Sequence, residues 1–213
     1  MSIAEKLQTI TENEQKVYEA GKNDLGMEMS KGKTNFAYMF QDCLYLKALP
    51  QMYTSSGNTF RGMCAGCKNL TTVQYMDFSN ATIVLGAFQY CSSLTTLPSL
   101  NAPICESFSY AFLDCINLVT ISEIDMSSAT SCNLMFNNCH NLENINFKGV
   151  IPISISFGGC GKLTDESVTS IINALKDLTG QTAQSLTLNA NIANKLTDEQ
   201  KTTITLKNWN LVY

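Results

Sequence analysis

Nine cysteines, one histidine and eighteen acidic side chains are the groups in this 213-residue chain that could do chemistry. Cys64-Ala-Gly-Cys67 has the C-x-x-C spacing at which two thiolates can share a metal ion or form a redox pair. No second pair follows it, and His140, the single imidazole, completes neither a four-ligand zinc site nor a nucleophile–base–acid triad. No G-x-G-x-x-G, P-loop or H-E-x-x-H occurs. Two-carboxylate glycoside hydrolysis needs carboxyls about 5 to 9.5 Å apart. Glu123 and Asp125, two residues apart on an extended segment, would lie roughly 6.5 to 7 Å apart at Cα, with Asp77 about 10 Å away across two strands. These separations permit hydrolysis, but a flat sheet face with no pocket signal argues against it. The expectation is a protein that is not an enzyme and takes no metal or cofactor.

Six of the nine cysteines fall at positions 43, 67, 91, 115, 139 and 160, spaced by 24 four times and then by 21. Around them stand near-copies: Phe40-Gln-Asp-Cys43-Leu-Tyr-Leu46, Phe88-Gln-Tyr-Cys91-Ser-Ser-Leu94, Phe112-Leu-Asp-Cys115-Ile-Asn-Leu118, Phe136-Asn-Asn-Cys139-His-Asn-Leu142 and Phe157-Gly-Gly-Cys160-Gly-Lys-Leu163. A degenerate copy, Cys64-Ala-Gly-Cys67-Lys-Asn-Leu70, lies between the first two. A fixed period of this length predicts stacked units, each exposing an apolar face that only its neighbours bury.

Mostly apolar residues recur seven, four and three positions before the cysteines, as in Phe36, Met39, Phe40 and Cys43. That spacing predicts a short helix ending near the cysteine. Beyond it the period becomes two, as in Tyr75-Met76-Asp77-Phe78-Ser79 and its echo 48 residues on, Glu123-Ile124-Asp125-Met126-Ser127. The alternation predicts a half-buried strand. One unit thus reads as helix, turn and strand, with a parallel sheet on one side of the stack. The recurring cysteines read as small apolar packing residues, free and buried.

The repeated motif resembles the leucine-rich repeats of the bacterial BspA type, which carry a phenylalanine three residues before a cysteine. The resemblance spans about Phe36 to Leu163. It implies an α/β fold, a right-handed leucine-rich-repeat solenoid with a parallel sheet on one side and short helices on the other. It also points to surface attachment or partner binding, because members include bacterial adhesins, and it implies no catalytic residue. Cys64, where phenylalanine is expected, and the shortened last copy depart from the pattern.

The boundaries follow from what does not repeat. Residues 1–33 read as an N-terminal helix with a capping box at Ser2 and Glu5, then a glycine-bearing joint. Ile3, Leu7, Ile10 and Val17 follow a heptad seam, so residues 3–17 either self-associate or cap the first repeat. Residues 34–163 are the repeats. Residues 164–213 read as atypical capping units: a helix from Asp165 to about Leu178, a strand at 185–188, a helix around Asp198 to Ile204 and a last strand at 208–212. They are expected to continue and close the sheet, with Trp209 as a plug. The opening Ala4–Ala20 and the closing Leu196–Lys201 with Trp209–Leu211 resemble the ends of tail-associated proteins of Gram-positive phages and prophages. That resemblance implies a helix attaching a distal recognition module.

Charged residues make up 15% of the chain and the net charge is −4. Fourteen scattered basic residues argue against nucleic acid as a partner. No apolar run reaches the ~18 residues of a membrane span. The start, Met1-Ser-Ile-Ala-Glu-Lys6, lacks an apolar signal core. The expectation is cytoplasmic synthesis with assembly into a virion, or a cell-surface location if an export signal has been trimmed.

Positions eight and ten after each cysteine are expected to face outward from the sheet. They are Gln51 and Tyr53, Tyr75 and Asp77, Ser99 and Asn101, Glu123 and Asp125, and Phe147. Aromatic rings beside short polar groups suit recognition of a protein or a surface glycan. Tyr53, Tyr75, Asp77, Asn101, Glu123 and Asp125 are the candidate binding residues. The competing expectation is an assembly protein in which the stack is only a spacer.

Overall fold

A computed structural model describes residues 29–213. The expected N-terminal helix and its seam at residues 3–17 lie outside the described residues. The structure is mixed α/β, with parallel strands in two small sheets and few helices. The first sheet contains β1 (Thr96–Leu97), β2 (Leu100–Asn101), β3 (Thr120–Asp125) and β4 (Asn144–Phe147). Thr96 pairs Thr120, which pairs Asn144, and the single bridges Ala48–Thr72 and Thr72–Thr96 extend that row. A second row of bridges links Asn35, Thr59, Ile83, Ser107 and Ser131. Every step in both rows is 24 residues, so the period of the sequence is the pairing register.

The segments before the cysteines are turns, and the predicted short helices are absent from them. Phe36, Tyr38, Phe40 and Asp42 donate their N–H groups to carbonyls 23 residues on, those of Thr59, Arg61, Met63 and Ala65. Between them Met39, Gln41 and Cys43 donate back to Phe36, Tyr38 and Phe40. Tyr38 and Asp42 have φ of 57° and 56°. A positive φ at the third residue of a turn closed from the fourth defines type II, so 36–39 and 40–43 are consecutive type II turns. A helix would turn its N–H groups along its own axis and leave the next unit's carbonyls unpaired. Consecutive turns bury the same offsets as a helix would and also bond the units together.

From Phe88 to Phe157 the aromatic column is continuous. Phe88, Phe112 and Phe136 stack with centroids 5.8 and 5.7 Å apart and near-parallel planes, and Phe157 follows at 4.9 Å. Cys64 interrupts this column, and its unit carries Phe78, packed edge-on to Phe60 at 4.7 Å, where other units have Thr54 and Ala102. One cluster of buried side chains runs from Phe36 to Trp209.

The first sheet does not continue into the capping units. α1 (Asp165–Ala174) lies against β4, and the hydroxyls of Ser167 and Ser170 accept the N–H groups of Ile145 and Phe147 at 3.0 and 2.9 Å. Two serines one helical turn apart thereby stand in for a strand and close the edge. α1 ends at Ala174, short of the expected Leu178, because Leu175 is extended and bridges Ile151. The second sheet is β5 (Ile155–Phe157), β6 (Gln184–Leu188) and β7 (Trp209–Val212), all parallel. α2 (Ala190–Ala193) and α3 (Asp198–Leu206) connect β6 to β7, and Thr197 with Gln200 forms the capping box of α3. Trp209 is buried, and its indole N–H donates to the carbonyl of Lys176 at 2.8 Å. Among the described residues no helix is long and apolar enough to cross a membrane.

Candidate functional site

All nine cysteines are buried, and four of the six repeated ones share a hydrogen bond. Cys67 donates from Sγ to the carbonyl of Phe40 at 2.9 Å, Cys91 to Cys64 at 3.1 Å, Cys115 to Phe88 at 3.0 Å and Cys139 to Phe112 at 3.1 Å. Each acceptor lies 27 residues earlier, in the preceding unit, so the thiol is both a small apolar filler and a weak donor. This accounts for cysteine in the column better than alanine would. Burial pushes the thiols of Cys43, Cys105 and Cys160 up to about 12 and that of Cys132 up to about 11. Cys64 of the C-x-x-C pair is also raised, first by burial and then by its hydrogen bond with Cys67. A thiol held protonated in this way is a poor nucleophile and a poor metal ligand. His140 stands on an exposed turn with Nδ1 3.2 Å from the carbonyl of Gly159.

The other candidates lie on the first sheet and on the units that precede it. Tyr53 and Tyr75 are 54% and 67% exposed. Asp77 and Asn101 are half-buried; Asn101 pairs Asp125 across β2 and β3. Glu123 is half-buried, and its carboxylate lies 3.6 Å from the ammonium of Lys148, a surface pair of small energetic weight. Columns eight and ten thus place Asn101 and Glu123 on β2 and β3, and Tyr53, Tyr75 and Asp77 at the matching positions of the preceding units, where they form no strand.

Two assignments are corrected. Asp125 is 9% exposed and does not belong to the open face. Its Oδ1 accepts the N–H of Ser127 at 3.0 Å and the Ser127 hydroxyl at 2.6 Å. The matching Asp77 accepts the N–H of Ser79 at 2.9 Å, so the 48-residue echo is a repeated Asx turn. Phe147 is buried as well. Ile121 pairs Ile145, but Ile124 pairs Phe147, so one residue is missing from the last copy and Phe147 shifts into the inward column.

Gly149 packs against this Asx turn, and a Cβ there would run into Ser127 Oγ and Asp125 Oδ1. Gly149→Ala should therefore lower stability by about 1–3 kcal/mol through displacement of the turn. Urea denaturation measures it, and a midpoint equal to the parent's would contradict this account of Asp125.

Sequence reasoning missed the groove beside Glu123. It measures about 660 Å³ and lies between the outer side of β4 and α1, with Asn146, Lys148, Glu166, Ser170 and Asn173 among its walls. A second hollow of about 320 Å³ shares Asn146, Glu166 and Ser170 and reaches back to Ser122 and Asn144. The alternation Asn144-Ile145-Asn146 showed that these amides face outward. Nothing in the sequence showed that α1 would stand beside them.

No protein-family model matches the chain, and neither a curated protein nor a solved structure matches it.

Proposed function

We propose that this chain is a non-catalytic binding or adhesion module. In this reading the 24-residue units form a right-handed leucine-rich-repeat solenoid of the BspA type, and the outer sheet face recognises a protein or a surface glycan. The observation that carries it is the pair Tyr53 and Tyr75, exposed in adjoining units beside Asp77, Asn101 and Glu123. Large exposed rings bring contact area at a small cost in side-chain entropy, and short polar groups around them set orientation. Burial of the thiols in protonated form supports a scaffold role for the motif that dominates the sequence. The resemblance of the two ends to phage and prophage tail proteins supports a place as a tail appendage, with residues 3–17 as the attachment or self-association element.

The test is binding of the labelled full chain to arrays of purified surface proteins and glycans, repeated with Tyr75→Ala and Glu123→Ala. Each substitution should weaken the captured interaction about tenfold, the effect of losing about 1.4 kcal/mol. The melting temperature should not move, because both side chains lie outside the core. Unchanged affinity in both variants would sink the reading and leave the stack as a spacer.

A further inference from the structure

We propose that the groove between β4 and α1 binds a neutral oligosaccharide chain. The proposal rests on the binding reading above and names a ligand class and a second set of contacts for it. The groove is an open hollow of about 660 Å³ that shares Asn146, Glu166 and Ser170 with a second of about 320 Å³, and the two together give a surface that can accommodate a chain.

The walls choose among chain ligands. An extended peptide usually gains affinity by adding a strand to a sheet edge. Here the edge is closed, since the N–H groups of Ile145 and Phe147 already donate to Ser167 and Ser170. A polyanion needs unpaired cations. Among the described residues Lys148 is the one cation lining the groove, and it faces Glu123, while Asp165 and Glu166 would repel phosphate or sulfate. What remains is a set of side chains that bond hydroxyls: carboxylates that accept, and carboxamides that both donate and accept.

That set is partly pre-organised. Ser170 accepts the N–H of Phe147 and donates to Asn146 Oδ1 at 3.0 Å, which fixes the Asn146 amide and leaves its NH₂ to act as a donor. Glu166 and Asn173 are exposed, seven residues apart on one face of α1, and so about 10.5 Å apart along its axis. Among the described residues neither side chain bonds another part of the chain. A span of that length engages more than one sugar ring. Phe147 is buried, so ring stacking is not available and binding through hydroxyls alone should be weak, with a dissociation constant of about 0.1–1 mM.

The experiment is an amide-resolved NMR titration of the full chain with neutral tetrasaccharides of glucose, mannose, galactose and N-acetylglucosamine, and with a sulfated tetrasaccharide. The expected result is that at least one neutral probe shifts the side-chain amides of Asn146 and Asn173 together with the β4 backbone. Asn173→Ala and Glu166→Gln should each raise its dissociation constant about tenfold without moving the melting temperature. No shift with any neutral probe at millimolar concentration, or tighter binding of the sulfated probe in the groove, would overturn the proposal. Shifts confined to the segments bearing Tyr53 and Tyr75 would overturn it too, while keeping the sheet-face reading. Shifts confined to the groove and indifferent to Tyr75→Ala would support it and remove the sheet-face reading instead.

Discussion

Replacing Phe112 by alanine should lower the free energy of unfolding by about 3–5 kcal/mol. Its ring is fully buried between those of Phe88 and Phe136, and the units on both sides lose a stacking partner. The rows of bridges at 24-residue steps tie those units together, so the surroundings cannot collapse into the gap without breaking register. Urea denaturation followed by circular dichroism reads the effect. In a stack held by nearest-neighbour contacts, a local loss should also broaden the transition as units uncouple. A loss below about 1 kcal/mol would mean that the aromatic column is not the support described above.

The second large effect is alkaline. The thiols of Cys43, Cys105 and Cys160 are pushed from the ordinary 9.0 up to about 12, chiefly by burial. The native state therefore holds protons that the unfolded chain releases. This stabilisation is complete below pH 9.0 and is lost as pH rises toward about 12. A rise from 9.0 to about 12 is worth about 4 kcal/mol for one buried thiol such as Cys160, a large share of the ~5–15 kcal/mol stability of an ordinary domain. The protein should consequently unfold within that window, and thiolate absorbance should appear in step with the loss of circular dichroism. Thiolate forming near pH 9.0 in a fully folded chain would contradict the buried ladder of thiols.

The sequence carried the architecture further than the surface. Columns counted from Cys43, Cys67, Cys91, Cys115 and Cys139 matched the pairing register because the same spacing repeats the same inward side chains. The helix expected at Phe36, Met39, Phe40 and Cys43 failed because consecutive turns bury those offsets equally well. A signal for turns was present in Gly62, Gly66 and Gly86, which occupy the columns of Tyr38 and Asp42 and have φ of 55°, 77° and 62°. Glycine at those places is costly inside a helix and favoured where φ is positive.

Outward-facing candidates were legible only where the strand alternation stayed regular. Tyr53 and Tyr75 follow it and are exposed. Asp125 follows the same alternation yet is buried, because Ser127 and Gly149 fold over it, and that contact joins residues more than 20 positions apart. Phe147 misled because one residue is missing from its copy, which exchanges the two faces. The groove was invisible for a related reason. It exists only because Ser167 and Ser170 dock α1 on the edge of β4, and two serines on a helix do not announce a sheet edge in sequence.

The central claim is that the phenylalanine–cysteine–leucine motif is scaffold and that recognition belongs to the outer sheet face. It is tested most directly by measuring affinity and melting temperature together for Tyr75→Ala and for the milder core variant Phe112→Leu, on a partner captured by the parent chain. The account predicts opposite results: weaker binding at an unchanged melting temperature for Tyr75→Ala, and a lower melting temperature with unchanged affinity of the folded protein for Phe112→Leu. Full affinity in Tyr75→Ala, or lost affinity in a still-folded Phe112→Leu, would contradict it.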